Sequence, residues 1–151
     1  MTPSFNYQGR KVDLSIFPDL TVPNVAVDAR LGNDPKAIAG AFSLVQNYLR
    51  ILLTPKGHYP SDPDMGSNFL AQLRSTRIQY PTDLIHLFLI ESAGVVRWMK
   101  NNSAGLPDDE VIQDATLSST VLTPSTTSLT IEIETRAGTA VSFLLPVNWS
   151  L

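Results

Sequence analysis

The spacing of hydrophobic residues changes once along this 151-residue chain. In the segments between Asp34 and Asp109 that have a regular pattern, they recur at steps of three and four, which places them on one face of a helix. After Asp109 they alternate with polar residues, which is the pattern of a half-buried strand. Helices followed by antiparallel strands define the α+β class, so the sequence predicts helices packed on a C-terminal antiparallel three-stranded sheet.

The first strong helix pattern begins at Asp34, an N-cap residue, with Pro35 at the first helical position. Pro55 and Gly57 end it. Its apolar face consists of Ile38, Ala41, Phe42, Val45, Tyr48, Leu49 and Leu52. This spacing predicts a core helix.

The remaining elements follow from the same patterns. A short helix is predicted over residues 67–75, and a very apolar helix from residue 81 to about residue 101. Strict alternation over residues 129–135 and 141–147 predicts a hairpin, and residues 110–122 form a weaker strand rich in Ser and Thr.

The order of strands in the sheet follows from their composition. The strand at Val111–Val121 is predicted to lie at the edge, since an interior strand carries more large residues, whereas Leu129–Thr135 is predicted to be central. The two are joined by a turn at Pro124-Ser125. We therefore expect Ser119 to contribute to an open edge that accepts a strand from another chain.

Residues 1–23 show no sustained period and contain Pro3, Gly9, Pro18 and Pro23. They are predicted to form an extended N-terminal arm, held either by a neighbouring chain or by its own domain. Residues 24–151 are about the size of one domain. We expect a single α+β domain there.

The composition excludes several classes. The net charge is −3 and the eleven Lys and Arg are scattered, which disfavours nucleic-acid binding through phosphates. The chain has no cysteine, so disulfides, thiolate metal sites and thiol nucleophiles are excluded. No signal pattern begins the chain, and polar residues interrupt the longest apolar run, Leu84–Val96. We expect synthesis in the cytoplasm and no membrane insertion.

Residues 54–66 contain three prolines and two glycines, which predicts a loop of fixed shape and therefore a good contact surface. Trp149, near the C-terminus, is a candidate contact anchor, and Trp98 is assigned to the core. The predicted partner-binding residues are Lys56, Gly57, His58, Tyr59, Pro60, Asp62, Pro63, Gly66, Ser119 and Trp149.

Few residues suggest chemistry. Asp62, Asp64 and His58 lie close together in the loop, but a divalent metal needs more ligands, and Asp in such loops commonly caps turns. His86 and Glu91 point about 140° apart on their helix. No nucleophile elbow or phosphate-binding loop is present. The sequence therefore predicts no catalytic, metal or cofactor-binding residues, and a protein that is not an enzyme.

The segment Leu52-Leu53-Thr54-Pro55-Lys56-Gly57, followed by Pro60, Pro63 and Gly66, resembles the baseplate wedge family of contractile tails, the sheath initiators of myophages. Related subunits occur in type VI secretion baseplates. The resemblance extends from Asp34 to Val147. It implies a structural protein of the virion tail baseplate, assembled in the host cytoplasm.

The resemblance also implies partners. They are other baseplate wedge proteins and the tail sheath, with the tail tube as a further candidate, in six copies around the tail. The loop would grip the wedge core, and the first sheath ring would add strands to the sheet over residues 110–147. This chain departs from the family at His58-Tyr59, where members carry Glu-Arg, and at Met65, where they carry an aromatic residue. Docking by stacking and hydrogen bonding is expected there in place of a salt bridge.

Two alternatives remain open. A tail-associated peptidoglycan hydrolase of the lysozyme kind needs two carboxylates about 5 to 10 Å apart in a sugar-sized cleft. A convex loop at Asp62 and Asp64, covered by protein, would exclude it. The other alternative is a soluble adaptor domain outside any tail, which would be monomeric with mobile termini.

Overall fold

The computed structural model describes residues 13–14, 37–75, 78–123 and 126–148. Its strands are β1 (Asp13–Leu14), β2 (Ala37–Ile38), β3 (Ile112–Leu122), β4 (Thr126–Thr135) and β5 (Ala140–Asn148). Its helices are α1 (Ala41–Leu53), α2 (Phe69–Leu73), α3 (Pro81–Asn101) and a short 3₁₀ helix, Asp108–Glu110. The predicted α+β class is confirmed, with the helices preceding a three-stranded antiparallel sheet.

The sheet has the order β3-β4-β5. Leu129, Ile131 and Ile133 of the central strand β4 are fully buried, as their alternation predicts. The placement of Leu129–Thr135 at the centre and of the Ser- and Thr-rich strand at an edge is confirmed. The pairing of β3 with β4 shifts register twice, between Ile112 and Asp114 and between Leu117 and Ser119.

The helices α1 and α3 pack on one face of this sheet and enclose the core. At its centre Tyr48 of α1 and Ser92 of α3 share a hydrogen bond of 2.6 Å between their hydroxyl groups. Tyr48 has no exposed surface, and burial raises the pKa of its hydroxyl above the ordinary value. The hydroxyl therefore stays neutral and links the two helices.

The predicted start of the first helix is wrong. Ala37 and Ile38 form strand β2, paired with Asp13 and Leu14, and helix α1 begins only at Ala41. Gly40 separates strand from helix with φ 66°, a conformation that glycine adopts readily. Ile38 fits the helical spacing, but it pairs with Asp13 in a strand instead. Residues 34–36, with the predicted cap, lie outside the described residues.

Of the predicted N-terminal arm, residues 1–23, the structure describes only Asp13 and Leu14. These two residues pair with β2, so at this point the chain is attached to its own domain. The division at residue 23 stays a prediction. The rest of the arm, the Pro124-Ser125 turn and Trp149 lie outside the described residues. Within the described part of the chain, no helix combines the length and apolar character needed to span a bilayer.

Candidate functional site

The stiff loop predicted between the first two helices is closed at its base by backbone hydrogen bonds. The Lys56 N–H donates to the Ser67 carbonyl at 3.0 Å, and the Ser67 N–H donates to the Thr54 carbonyl at 2.8 Å. The Ser67 hydroxyl also donates to the Leu52 carbonyl at the end of α1. The loop therefore leaves and returns to the domain at one fixed point.

Three turns within the loop fix its course. They are closed by N–H donation from His58 to Pro55, from Asp62 to Tyr59 and from Met65 to Asp62, at 3.1, 3.1 and 3.2 Å. The prolines fix part of the backbone conformation of the loop, and these hydrogen bonds fix more of it. The predicted loop of defined shape is thus formed by its own hydrogen bonds.

Gly66 closes the loop in a position that only glycine fits. Its φ is +109°, and a Cβ there would stand 2.6 Å from the Thr54 carbonyl oxygen and 2.9 Å from that of Pro55. Gly57, at the other end, has φ +78°, and a Cβ there would meet nothing within 4 Å. The two glycines therefore have different roles, steric at Gly66 and conformational at Gly57.

Two side chains of α3 hold the loop and the segment that follows it. The indole N–H of Trp98 donates to Oδ2 of Asp62 at 3.2 Å. Beyond the loop, the Asn68 N–H donates to Oε2 of Glu91 at 2.8 Å. Asp62 is thus a positioning residue of the loop, and Trp98 combines a half-buried ring with a polar contact.

The outer surface of the loop presents most of the predicted partner-binding residues together. The residues from Lys56 to Pro60, and Pro63, are exposed. The rings of His58 and Tyr59 meet edge to face with centroids 5.1 Å apart, and Tyr59 is 39% exposed. An aromatic pair therefore forms part of the outer surface of the loop.

The inner side of the loop forms one wall of a cleft of about 500 Å³ against α3. Asp62 and Asp64 both line it, with Arg97 and Trp98 on the facing helix. Asp64 lies 4.0 Å from Nζ of Lys56, and both of these side chains are largely exposed. The loop is therefore not convex on this side, and the geometric condition that would exclude a hydrolase is not met.

Both carboxylates of the cleft already have partners within the protein. Asp62 accepts the Trp98 indole N–H, and Asp64 is paired with Lys56. Nowhere in residues 37–75, 78–123 and 126–148 do three or more His, Asp or Glu side chains come together as metal ligands. The arrangement fits the turn-stabilising role that acidic residues have in such loops.

The edge strand β3 lies beneath α3 and forms a second surface. Ser119 is exposed there, and its hydroxyl donates to Oγ1 of Thr130 at 2.9 Å. A groove of about 340 Å³ runs between α3 and β3, with Leu89, Ala93 and Ala115 among its lining residues. Leu89 is 47% exposed. The groove thus offers apolar surface next to β3, and Arg97, Lys100 and Asp114 also line it.

Sequence reasoning misses Trp98, Arg97 and the asparagines Asn101 and Asn102 as residues of the cleft. Its assignment of Trp98 to the core is correct in part, because the half-buried side chain packs against the core cluster. The polar contact of Trp98 with Asp62 spans 36 residues of sequence. One signal is available in the sequence: a tryptophan N–H that is partly buried generally finds an acceptor.

The described part of the chain is therefore an α+β domain with a rigid exposed loop and a three-stranded sheet that has β3 and β5 at its edges. No family model matches the sequence. No curated protein matches it either. The fold is similar to the crystal structure of a putative tail lysozyme from Geobacter sulfurreducens, which is 16% identical, with a TM-score of 0.48. The match covers 72% of this chain and 90% of that one.

Proposed function

We propose that this chain is a structural baseplate protein of a contractile phage tail. It docks on the wedge core through the loop from Lys56 to Gly66 and starts the sheath by accepting a strand at its sheet. Its place is the tail baseplate of the virion. The proposal rests on the Pro-Gly motif of the loop and on the geometry of the loop and the sheet edge.

The observation that carries the docking role is that the loop is exposed and yet fixed. Its base is closed by two backbone bonds, its interior by three turns, and its side by the contact of Asp62 with Trp98. A preorganised surface loses little conformational entropy when a partner binds. Such a loop is better suited to a permanent assembly contact than a flexible loop of the same length.

Tyr59 is the expected anchor of this contact. Aromatic side chains that enter a partner's pocket commonly dominate the binding energy. We expect Tyr59→Ala to leave the free energy of unfolding of the isolated domain nearly unchanged, because Tyr59 is an exposed residue that lies outside the core cluster. The variant should bind purified wedge subunits of the same tail with a binding free energy weaker by about 1 to 3 kcal/mol. Calorimetric titration measures this difference.

Tyr80→Ala is the matched control. Tyr80 is also an exposed tyrosine, at 64%, but it lies at the start of α3 and outside the loop. It should bind the wedge subunits as the unaltered protein does. Equal affinities for Tyr59→Ala and Tyr80→Ala would place the docking surface elsewhere.

The sheath role is supported by the edge strand β3 and the groove above it. Unpaired backbone groups at a sheet edge can hydrogen-bond an added strand. A sheath strand beside β3 would place alternate side chains against Leu89 and Ala93 of α3. On the opposite edge, Pro146 lacks an N–H donor within β5, which makes that edge the poorer template. Six copies around the tail would start one sheath ring.

The hydrolase alternative has one observation in its favour, since Asp62 and Asp64 line a common cleft. Against it, both carboxylates have partners within the protein. We expect the purified protein not to clear peptidoglycan in a turbidity assay. Clearing that is lost in Asp62→Asn or Asp64→Asn, at an unchanged unfolding midpoint, would give the cleft a catalytic role.

A further inference from the structure

A further cavity shares Trp98 and Asn102 with the loop cleft as lining residues. Its volume is about 440 Å³, and it opens between α1 and the C-terminal end of α3. Leu44, Met99 and Ile112 supply apolar walls, and Trp98 supplies an aromatic one. The three aliphatic side chains belong to the buried core, so the cavity reaches down to it.

Glu110 also lines this cavity, and its carboxylate is the unusual feature there. The residue is only 8% exposed. Its Oε1 accepts the Gly40 N–H at 3.1 Å, which occupies part of what a carboxylate can accept. The described ion pairs, Lys56 with Asp64 and Arg136 with Asp108, do not include Glu110. A buried acidic group facing a cavity attracts a cationic donor.

We infer that the cavity binds an arginine side chain of a partner protein. The aliphatic stem would pack against Leu44 and Met99, and the guanidinium would donate to the Glu110 carboxylate. Trp98 also lines the cavity, and an indole ring attracts a cation that lies over its face. Arginine fits better than lysine because its planar guanidinium can donate two parallel hydrogen bonds to a carboxylate.

Arg50 is the opposing charge at this site. It lines the cavity, is exposed, and donates from Nη2 to Oδ1 of Asn47 at 2.8 Å. Its guanidinium bonds Asn47, and its positive charge at the cavity repels a second cation. Removing its charge therefore strengthens binding, and removing that of Glu110 weakens it.

Binding of an arginine side chain in this cavity does not depend on the baseplate role. Trp98 nevertheless connects the cavity with the loop proposed for docking. Trp98 lines both this cavity and the cleft beside the loop. The two sites therefore have this wall residue in common.

The test uses N-acetyl-L-arginine amide as the probe and the full chain as the receptor. The indole N–H resonance of Trp98, assigned with Trp98→Phe, is followed by NMR during titration. We expect a saturable shift with the arginine probe, and at least tenfold weaker binding of N-acetyl-L-citrulline amide, which has the same shape without the charge. Equal binding of both probes, or no saturable shift with arginine, overturns the inference.

Two variants locate the charge effect. Glu110→Gln can still accept the Gly40 N–H through its amide oxygen, and it should bind the arginine probe about tenfold more weakly. Arg50→Gln, on the exposed surface of α1, should bind it about twofold more tightly or better. If Glu110→Gln fails to fold, the comparison of the two probes and the Arg50→Gln variant still test whether the cavity binds arginine. Unchanged arginine binding in a folded Glu110→Gln protein contradicts the assignment.

Discussion

Replacing Gly66 by alanine should destabilise the domain by about 2 to 4 kcal/mol, because a new clash adds to backbone strain. The added Cβ would stand 2.6 Å from the Thr54 carbonyl oxygen, which is backbone and accepts the Ser67 N–H. Relieving that contact opens the base of the loop. The measurement is the urea midpoint of unfolding, converted to a free energy with the slope of the transition.

Gly57→Ala is the matched control for this variant. Gly57 also has a positive φ, +78°, but a Cβ there meets nothing within 4 Å. Gly57→Ala should lower the free energy of unfolding by only about 1 kcal/mol, because it adds backbone strain without a steric clash. If both variants lost the same stability, the steric closure of the loop by Gly66 would be wrong.

The same pair of variants separates loop shape from loop chemistry. Neither removes an exposed side chain of the docking surface, but Gly57→Ala adds a methyl group to that surface. Only the loss of affinity of Gly66→Ala beyond that of Gly57→Ala therefore reports on the shape of the loop. We expect Gly66→Ala to weaken that binding more than Gly57→Ala, measured below the temperature at which either variant unfolds.

Ser119→Pro should produce baseplates that assemble but carry no sheath. Proline removes one backbone donor from the edge strand β3 and disturbs its path, which should block the addition of a sheath strand. The helical core should be affected little, because Ser119 is exposed on the edge strand. Electron microscopy of tails assembled with the variant shows the result directly.

Ser119→Ala separates the backbone effect from loss of the hydroxyl, which donates to Oγ1 of Thr130. Alanine keeps the N–H, so sheath assembly should be normal with it. A normal sheath on a folded and incorporated Ser119→Pro protein would mean that the sheath does not start at this edge. The circular dichroism spectrum and unfolding midpoint of the purified variant establish that it is folded.

Elements governed by local chemistry follow well from the sequence. Helix α3 is expected from residue 81 to about residue 101, and the structure has it at Pro81–Asn101. Pro81 suits the first position of a helix, and Asp83 accepts the Tyr80 N–H at 3.0 Å, so the start signal lies within four residues. The hairpin of β4 and β5 follows from strict alternation, since a strand buried on one face requires it.

The start of α1 shows where local patterns stop being sufficient. Ile38 fits the spacing of the helix, but it pairs with Asp13 across a long stretch of sequence. Gly40 then donates its N–H to Glu110, which is 70 residues away. Neither partner is visible in the local sequence, because a helical period describes only neighbours one turn apart.

The sequence by itself determined the fold class, the stiffness of the loop and the identity of the edge strand β3. These follow from the spacing of apolar residues and from the restricted backbone of proline. Only the tertiary structure decided that Asp62 is held by Trp98, that the loop encloses a cleft with α3, and that Glu110 faces a cavity. Such contacts depend on which distant elements the topology brings together, and hydrophobic spacing carries no information about that.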